Sequence, residues 1–396
     1  MKIGVYGGTF NPPHLGHAAS ARYAASALGL DKLLFVPAAL PPHKALPEGT
    51  PAPAHRSAMV EIMADCLGLG EGAQVSDAEI ARPGKSYTAD TLERLRAQYP
   101  EDELWLLVGG DMFACLPDWH APERIMAQAG VAAFARREDE RALLHAQAAR
   151  LERDFGARVR VVELPQITDI SSTRLRALLP AGQGREFLEP SVYGYILRHG
   201  LYGVPGGLKR LDDTQLRACA YSMMRAKRIP HVRGTEEEAV RLARRWGADG
   251  ENARRAAILH DCTKYYTMDE QLQLCAKYGI ILDDLEQKAV KLLHAKTGAW
   301  IARDVYGAND AVFEAIYWHT TAKADMALLE KILYIADYME PTRDFPGVER
   351  LRQAAYRDLD EAVLMGCEMS VQEMADRNLP VHHNTVEARD WLKGQR

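Results

Sequence analysis

Two histidines near the amino terminus are spaced for work on a phosphate group. His14 and His17 lie three residues apart in the stretch GGTFNPPHLGH, and the residues after them have helical spacing. Side chains three residues apart share one side of a helix, and the amino end of a helix carries the positive end of its dipole. Imidazoles placed there can stabilise phosphate charge. The pair therefore indicates phosphoryl-transfer chemistry.

The residues before these histidines suit a close approach of backbone to ligand. Gly7 and Gly8 end the apolar run KIGVYGG, which predicts a β-strand. Glycine permits such an approach, and open α/β sheets bind nucleotides at the carboxyl ends of their strands. Two glycines or one histidine would be weak indications, because both are common in structural roles. The joint run TFNPPHLGH is much more specific.

A second group of six histidine and aspartate residues lies in the other half of the chain. The stretch ILHDCTK holds a consecutive pair, and the other four each interrupt an apolar helical stretch, where an unpaired polar group is costly. Any one of them could be a satisfied core residue, but the series is better explained by metal binding. The six residues are His231, His260, Asp261, His294, His319 and Asp337.

The elements that must position these two groups differ between the halves. Up to about residue 202, the β-rich runs KIGVYGG, KLLFVPA, LWLLVGG, VAAFARR and RVRVVELP alternate with helical segments, which predicts a parallel α/β sheet. Beyond a glycine-rich stretch at 200–210, only helical spacing is found, so an all-α domain is predicted. We expect domains at 1–203 and 214–396, joined by a linker at 204–213.

Length and composition limit the classes of function. A chain of 396 residues predicts two or three domains, and its net charge of -5 disfavours nonspecific nucleic-acid binding. The six cysteines form no CxxC pair, which indicates reduced thiols. The sequence has neither a membrane-length apolar run nor a signal segment, so a cytoplasmic protein without a membrane partner is expected.

Further segments of the first half carry a family resemblance. PPHK (41–44), RSAM (56–59), KSYTADTL (85–92), GGDMFACLPDWH (109–120) and ISSTRLR (170–176) follow the histidine motif in order. Together they resemble the bacterial nicotinate-nucleotide adenylyltransferases over nearly all of residues 1–203. The resemblance implies a Rossmann-like nucleotidylyltransferase fold and adenylyl transfer from ATP to nicotinate mononucleotide, which gives deamido-NAD and pyrophosphate.

This resemblance also implies roles for single residues. His17 would stabilise the α-phosphate and His14 the phosphate chain, with Mg²⁺ held mostly by the phosphates. The implied ATP contacts are Gly7, Gly8, Thr9, Phe10, His14, His17, Gly109, Asp111, Ile170, Ser171, Ser172, Thr173 and Arg174. The implied contacts with the nicotinate nucleotide are Lys44, Arg56, Tyr87, Thr88 and Trp119. Two points stay open. The serines of ISSTR also suit an ordinary helix cap. His120 stands where the family often has tyrosine, which leaves the selection of nicotinate over nicotinamide undecided.

The six-residue series, in the order H…HD…H…H…D, resembles the HD-domain phosphohydrolases. With the run 319–352, it resembles more narrowly the bacterial symmetrical diadenosine tetraphosphate hydrolases, over about 214–375. The resemblance implies two metal ions, with iron expected and manganese and zinc as alternatives. His231, His260, Asp261 and Asp337 would hold one ion, and His294, His319 and a bridging Asp261 the other. Lys264, also a candidate catalytic residue, and Arg343 would contact the polyphosphate, although both could be solvated surface cations.

A bifunctional enzyme is therefore expected, with ATP, nicotinate mononucleotide and diadenosine tetraphosphate as partners. Two alternatives stay open for the second half: hydrolysis of another nucleotide, or nucleotide sensing that regulates the first half. A homo-oligomer is also left open. His382 and His383 lie outside the matched pattern, in a helical tail broken at Pro380, and are interpreted as surface residues.

Overall fold

The chain divides into two units, Met1–Pro205 and Gly206–Arg396. The structure, a computed structural model, describes residues 1–42, 45–82, 84–135, 138–164 and 170–395. The dividing point lies within the stretch 204–213 that the sequence analysis assigns to a linker.

The first unit is built on one sheet of six strands. The strands are β1 Lys2–Gly8, β2 Lys32–Pro37, β3 Ala73–Val75, β4 Glu103–Gly109, β5 Gly130–Ala135 and β6 Val159–Glu163. Their order is β3-β2-β1-β4-β5-β6, and all neighbours pair in parallel, which confirms the predicted α/β class. The central parts of β1 and β4 and all of β5 are buried, because helices cover both faces.

Eight helices connect and cover these strands in the described residues of the first unit. They are α1 Leu15–Leu28, α2 Pro53–Asp65, α3 Thr88–Gln98, α4 Gly110–Ala114, α5 Pro122–Gln128, α6 Glu138–Phe155, α7 Ser172–Leu178 and α8 Pro190–Arg198. Helices α2 and α8 begin with proline, and α1 ends at Gly29, whose φ of 61° suits a helix terminus. The strand order reverses between β1 and β4, which creates a crevice at their carboxyl ends.

The described residues of the second unit hold helices and no strand, as predicted. The helices are α9 Asp213–Tyr221, α10 Ile229–Trp246, α11 Gly250–Leu259, α12 Met268–Tyr278, α13 Val290–Asp304, α14 Asp310–Trp318, α15 Leu328–Met339, α16 Val348–Arg357, α17 Leu359–Asp376 and α18 His383–Gly394. In the parts of the chain that the structure describes, no helix is long and apolar enough to cross a membrane.

Candidate active sites

The predicted adenosine-side residues lie at the crevice between β1 and β4. Gly7 and Gly8 end β1, and a Cβ atom built at Gly7 would meet nothing within 4 Å. Gly109 ends β4, and Asp111 is exposed in the first turn of α4. The two βα turns therefore present open backbone at the edge where such sheets bind nucleotides.

The loop after β1 places His14 and His17 face to face at the start of α1. Their ring centroids are 3.7 Å apart, and the backbone N–H of His14 donates to Nδ1 of His17 at 3.2 Å. Because Nδ1 accepts this hydrogen bond, the neutral His17 ring carries its proton on Nε2, which is then a donor. Phe10 is 2% exposed, and its ring packs edge-on against His17 with centroids 5.1 Å apart. The Phe10 side chain thus supports His17, and a contact of this residue with ATP stays a prediction.

Helix α7 is fastened to the same loop. The Ser172 hydroxyl donates to the carbonyl oxygen of Pro12 at 2.9 Å, and Nη1 of Arg176 donates to that of Asn11 at 2.6 Å. The segment ISSTR, 160 residues away in sequence, is thereby brought against the loop that carries the two histidines. These two hydrogen bonds agree with one site lined by both segments.

The hydroxyl groups of this segment already have structural partners. Ser171 caps α7 by accepting the backbone N–H of Arg174 at 3.2 Å, and the hydroxyl of Thr173 accepts from Arg176 at 3.1 Å. Ile170 is buried, whereas Thr173 and Arg174 are exposed. Phosphate contacts from this segment stay a prediction.

Arg56 has a role that the sequence did not indicate. Its side chain is fully buried, and the guanidinium donates to the carbonyl oxygens of Thr9 at 2.7 Å and Ala38 at 2.6 Å. Burial lowers the pKa of Arg56. Arg56 therefore joins the loops that follow β1 and β2, and its contact with the nicotinate nucleotide stays a prediction. Lys44, the other predicted cation, lies outside the described residues.

The predicted nicotinate-side residues come from two segments that meet. Tyr87 and Thr88 lie at the start of α3, and Trp119 packs partly buried against the core of the sheet. The rings of Tyr87 and His120 have centroids 4.4 Å apart. His120, at the position where the family often has tyrosine, thus pairs with an aromatic ring beside Thr88.

In the second unit, five helices bring the six predicted metal ligands into one group, here called the six-ligand cluster. They are His231 in α10, His260 and Asp261 directly after α11, His294 in α13, His319 directly after α14 and Asp337 in α15. Asp261 stands between the others. Its Oδ2 lies 3.5 Å from Nε2 of His260 and 3.9 Å from that of His231, while its Oδ1 lies 3.2 Å from Nε2 of His294 and 3.9 Å from that of His319. Asp261 therefore faces both sides of the cluster.

Asp337 closes one side of the cluster. Its Oδ1 lies 2.9 Å from Nε2 of His231 and 3.8 Å from Nε2 of His260. On the other side, the Nε2 atoms of His294 and His319 are 3.2 Å apart. Two histidine nitrogens this close would repel unless a proton or a cation lay between them.

The second nitrogen of each histidine is held by the protein. In His260, His294 and His319, Nδ1 lies 2.6 Å from the backbone carbonyl oxygen three residues earlier, and Nδ1 of His231 lies 2.9 Å from Oε1 of Glu340. An N–H that donates at Nδ1 leaves the Nε2 lone pair free for a metal. Nε2 of His260 is buried and has no hydrogen-bond partner among the described residues. Such an orphaned nitrogen fits a metal ligand.

The protonation of the cluster also suits metal binding. Burial alone would raise the pKa of both aspartates, but His260 holds the pKa of Asp261, and His231 that of Asp337, well below the usual range. Burial lowers the pKa of His319 to about 3. At neutral pH, Asp261 and Asp337 are therefore anionic and His319 is neutral, which are the forms that bind metal.

Ligand atoms of two triads each lie within 4.8 Å of one another: His231, His260 and Asp337 form the first, and His260, Asp261 and His319 the second. Four imidazoles with two carboxylates form a donor set that suits iron, manganese or zinc. The residues present therefore fit the implied metal centre.

Three cations surround the cluster. Arg228 lies 2.6 Å from Oδ2 of Asp261, Lys264 lies 3.0 Å from Oδ1 of the same residue, and Arg343 lies 3.0 Å from Oδ1 of Asp337. Their side chains are 17%, 32% and 34% exposed, so all three reach both the cluster and solvent. The sequence indicated Lys264 and Arg343 but not Arg228, which lies in the basic run RAKRIP directly before His231.

Glu340 was also missed. It is 0% exposed, lies behind His231, and accepts the backbone N–H of Thr342 at 2.7 Å. A Cβ atom at Gly234 would lie 2.5 Å from Oε2 of Glu340, so a larger residue there would displace this carboxylate. The available signal was an acidic residue three positions after Asp337, at the end of an apolar helix.

The surface interpretation is wrong for His382. This side chain is only 4% exposed; its Nδ1 accepts the backbone N–H of Asn384 at 3.2 Å at the start of α18, and its Nε2 lies 3.2 Å from Oδ2 of Asp283. His383 is 60% exposed, as interpreted. Burial of His382 follows from packing of α18, which local sequence does not reveal.

Comparisons with known proteins agree with the division into two units. Residues 5–178 match the cytidylyltransferase-like family, and residues 228–342 match the HD-domain family. A probable nicotinate-nucleotide adenylyltransferase of Gloeobacter violaceus is 41% identical over 208 residues, which cover 52% of this chain and 98% of the relative. A symmetrical bis(5'-nucleosyl)-tetraphosphatase of Bacillus subtilis is 35% identical over 183 residues, which cover 46% of this chain and 98% of the relative.

Among solved structures, an HD-superfamily hydrolase of Clostridium acetobutylicum, described as involved in NAD metabolism, is 37% identical. The match covers 47% of this chain and 99% of that one, with a TM-score of 0.46. The two sequence relatives each align over nearly their full length, one with either half. The chain therefore belongs to two families, the nicotinate-nucleotide adenylyltransferases through its first unit and the HD-domain symmetrical bis(5'-nucleosyl)-tetraphosphatases through its second.

Proposed function

We propose that the first unit transfers the adenylyl group of ATP to nicotinate mononucleotide. The observation that carries this proposal is the His14 and His17 pair at the carboxyl end of β1, where the strand order reverses. The phosphate of the mononucleotide attacks the α-phosphorus, and the bond to the β-phosphate breaks to release pyrophosphate. Nε2 of His17 donates to an α-phosphate oxygen as charge develops on it. The remaining work is alignment of the two phosphates, with Mg²⁺ entering on ATP.

A pyrophosphate-release assay with nicotinate mononucleotide, ATP and Mg²⁺ tests this activity. His17→Ala should lower kcat by about 100-fold or more, as expected for loss of one donor to a developing negative charge. His145→Ala, at an exposed position of α6, is the matched control and should not change the rate. Pyrophosphate release with only a different acceptor, such as phosphopantetheine, would contradict the proposal.

We infer that the second unit hydrolyses diadenosine tetraphosphate symmetrically to two ADP molecules. The carrying observation is the six-ligand cluster, with its converging Nε2 atoms and the orphaned Nε2 of His260. Two divalent ions bound there would supply activation of water and neutralisation of phosphate charge. Iron is the proposed metal, and manganese and zinc also fit the donor set.

The chain's own cations orient the polyphosphate in this proposal. Arg228 pairs with Oδ2 of Asp261, and Lys264 pairs with Oδ1 of the same residue. Arg343 pairs with Oδ1 of Asp337. Each can donate charge-assisted hydrogen bonds to phosphate oxygens that approach the cluster. The tetraphosphate, which carries several negative charges, is thus held where these partly exposed cations meet the cluster.

The combined change His260→Ala with Asp261→Ala separates the two activities. It should abolish hydrolysis of diadenosine tetraphosphate and leave adenylyl transfer intact. Asp310→Asn, whose side chain is 93% exposed, is the control and should retain both. Unchanged hydrolysis in the double variant would overturn the metal assignment. Turnover of another nucleotide alone would correct the substrate, and binding without turnover would favour a sensing role.

A further inference from the structure

A cavity of about 660 Å³ lies beside the six-ligand cluster, at the end of α15. Its walls come from the last turn of α15, the segment 343–346 and the final two turns of α17. Small-molecule sites typically have volumes of about 300–1,000 Å³. The cavity is thus large enough for a ligand and is separate from the metal ligands themselves.

One wall of the cavity is aromatic. Tyr338 and Phe345 pack edge to face, with centroids 5.7 Å apart and planes at 81°. The hydroxyl of Ser370 donates to that of Tyr338 at 3.3 Å, which orients the tyrosine ring. Both rings are partly exposed, and Met369 adds apolar surface beside them. Such a wall suits a flat heteroaromatic ring.

The wall formed by the end of α17 is acidic. It includes Glu373 and Asp376, and the one cation on that wall, Arg377, is already paired with Glu373 at 2.9 Å. Carboxylates repel phosphate groups but accept hydrogen bonds from sugar hydroxyls and exocyclic amines. The cavity therefore favours an uncharged group with several donors.

Arg343 joins the cavity to the six-ligand cluster. It lines the cavity, while its Nη2 and Nε donate at 3.0 Å to Oδ1 and the backbone carbonyl oxygen of Asp337. A ligand that spans this point would meet positive charge at its cluster end and aromatic and acidic surface at its cavity end. That polarity matches a nucleoside 5'-polyphosphate.

We propose that this cavity is the nucleoside subsite of the hydrolase centre. It holds a purine base against Phe345 and Tyr338 and the ribose near Asp376, and the 5'-phosphates pass Arg343 toward the cluster. The proposal rests on the function inferred for the second unit, and it adds the part of the substrate that the cavity recognises. One nucleoside of a dinucleoside polyphosphate would lie here.

Photo-crosslinking of 8-azido-ADP to the Mn²⁺-loaded full chain tests the placement without requiring turnover. Peptides that contain residues 338–346 and 369–377 should be labelled, and Phe345→Ala should lower this label about tenfold, a typical loss for one stacked base. Tyr278→Ala, which removes a ring stacked on Trp300 outside the cavity, is the control and should leave it unchanged. Absence of label on both peptides would overturn the proposal. Any 8-azido-ADP that binds the first unit labels peptides of that unit, which are identified separately.

Kinetics give the second readout. Phe345→Ala should raise KM for diadenosine tetraphosphate about tenfold with little change in kcat, and Phe345→Trp should restore it. If Phe345→Ala misfolds, Asp376→Asn at the exposed ribose side should raise KM in the same way. An unchanged KM in both variants would overturn the cavity assignment even if hydrolysis is present. Cavity labelling without turnover would instead overturn the proposed hydrolysis and leave the nucleoside site standing.

Discussion

Glu340 fixes the orientation of His231, a proposed metal ligand, from behind. Its buried carboxylate lies 2.9 Å from Nδ1 of His231, on the side of the ring away from Asp337. A carboxylate in this position orients the imidazole and raises its basicity. Glu340→Gln should therefore weaken metal affinity by about 10–100-fold while the fold is kept. Titration of the metal-free protein with Mn²⁺ or Fe²⁺ measures the change.

A matched change separates this role from a general loss of charge. Glu349→Gln alters a carboxylate that is 75% exposed and paired only with Arg352 among the contacts described for it. Metal affinity should not change in this variant. An equal loss in both variants, or none in Glu340→Gln, would remove Glu340 from the metal centre.

Arg228 and its neighbour Lys227 offer a similar comparison for substrate contact. Arg228 faces Asp261, whereas Lys227 is exposed. Arg228→Gln should lower kcat/KM for hydrolysis by about 10–100-fold, because one charge-assisted hydrogen bond contributes about 1.5–3 kcal/mol. Lys227→Gln should have no effect in the same assay. Equal rates for the two variants would mean that Arg228 does not touch the phosphates.

The chemical roles of single residues could be predicted where the residues belong to a sequence motif. The six ligands were found because each interrupts an apolar helical stretch, and the structure brings them together. His382 was misread as a surface residue, and the burial of Arg56 against backbone carbonyl oxygens was not predicted. Their burial depends on loops and helices distant along the chain, which a local pattern does not contain.

Glu286 ties three elements of the second unit together. It precedes α13, is 2% exposed, and its Oε1 lies 2.5 Å from Nζ of Lys296 in α13 and 3.4 Å from Nε2 of His382 before α18. Burial would raise the pKa of Glu286, but His382 and Lys296 lower it to about 2. A carboxylate with a depressed pKa stabilises the fold above its unfolded pKa of about 4.3, and this contribution is lost as the pH falls toward 2.

Glu286→Gln should therefore destabilise the region by about 2 kcal/mol at pH 7, because Lys296 loses its buried partner. The difference between variant and parent should shrink as the pH falls from about 4.5 toward 2. Amide hydrogen exchange of peptides from residues 283–296, followed across this pH range, gives the local free energy of opening. Glu387→Gln, on the exposed face of α18, should match the parent throughout. A difference that grows on acidification would contradict the assigned pairing.

At the level of elements, sequence predicted the classes and missed some members and boundaries. The five strands with long apolar runs were found, whereas β3 has three residues and none of them is fully buried. Helix α11 ends at Leu259, and the pair His260 and Asp261 lies in the turn that follows. Helical spacing continues through that turn because its buried side chains pack into the same core. Periodicity alone thus overestimates a helix where a buried turn extends it.

In the whole molecule, the two proposed centres would hold metal in different ways. The first unit has its two histidines and open backbone at the crevice, so its Mg²⁺ should arrive with ATP and leave with pyrophosphate. The second unit offers six side-chain ligands, most of them buried, and should keep its ions through purification. The activities should therefore respond differently to chelation.

Treatment with a strong chelator, followed by dialysis into Mg²⁺ alone, should leave adenylyl transfer intact and remove hydrolysis of diadenosine tetraphosphate. Added Fe²⁺ or Mn²⁺ should then restore hydrolysis in the parent chain but not in the variant His260→Ala with Asp261→Ala, because the variant lacks two of the six proposed metal ligands. Both rates and the bound metal are measured on the same sample. Full hydrolysis in Mg²⁺ alone would contradict a resident transition-metal centre. Loss of adenylyl transfer that Mg²⁺ does not reverse would show that the first unit also depends on the ions of the second.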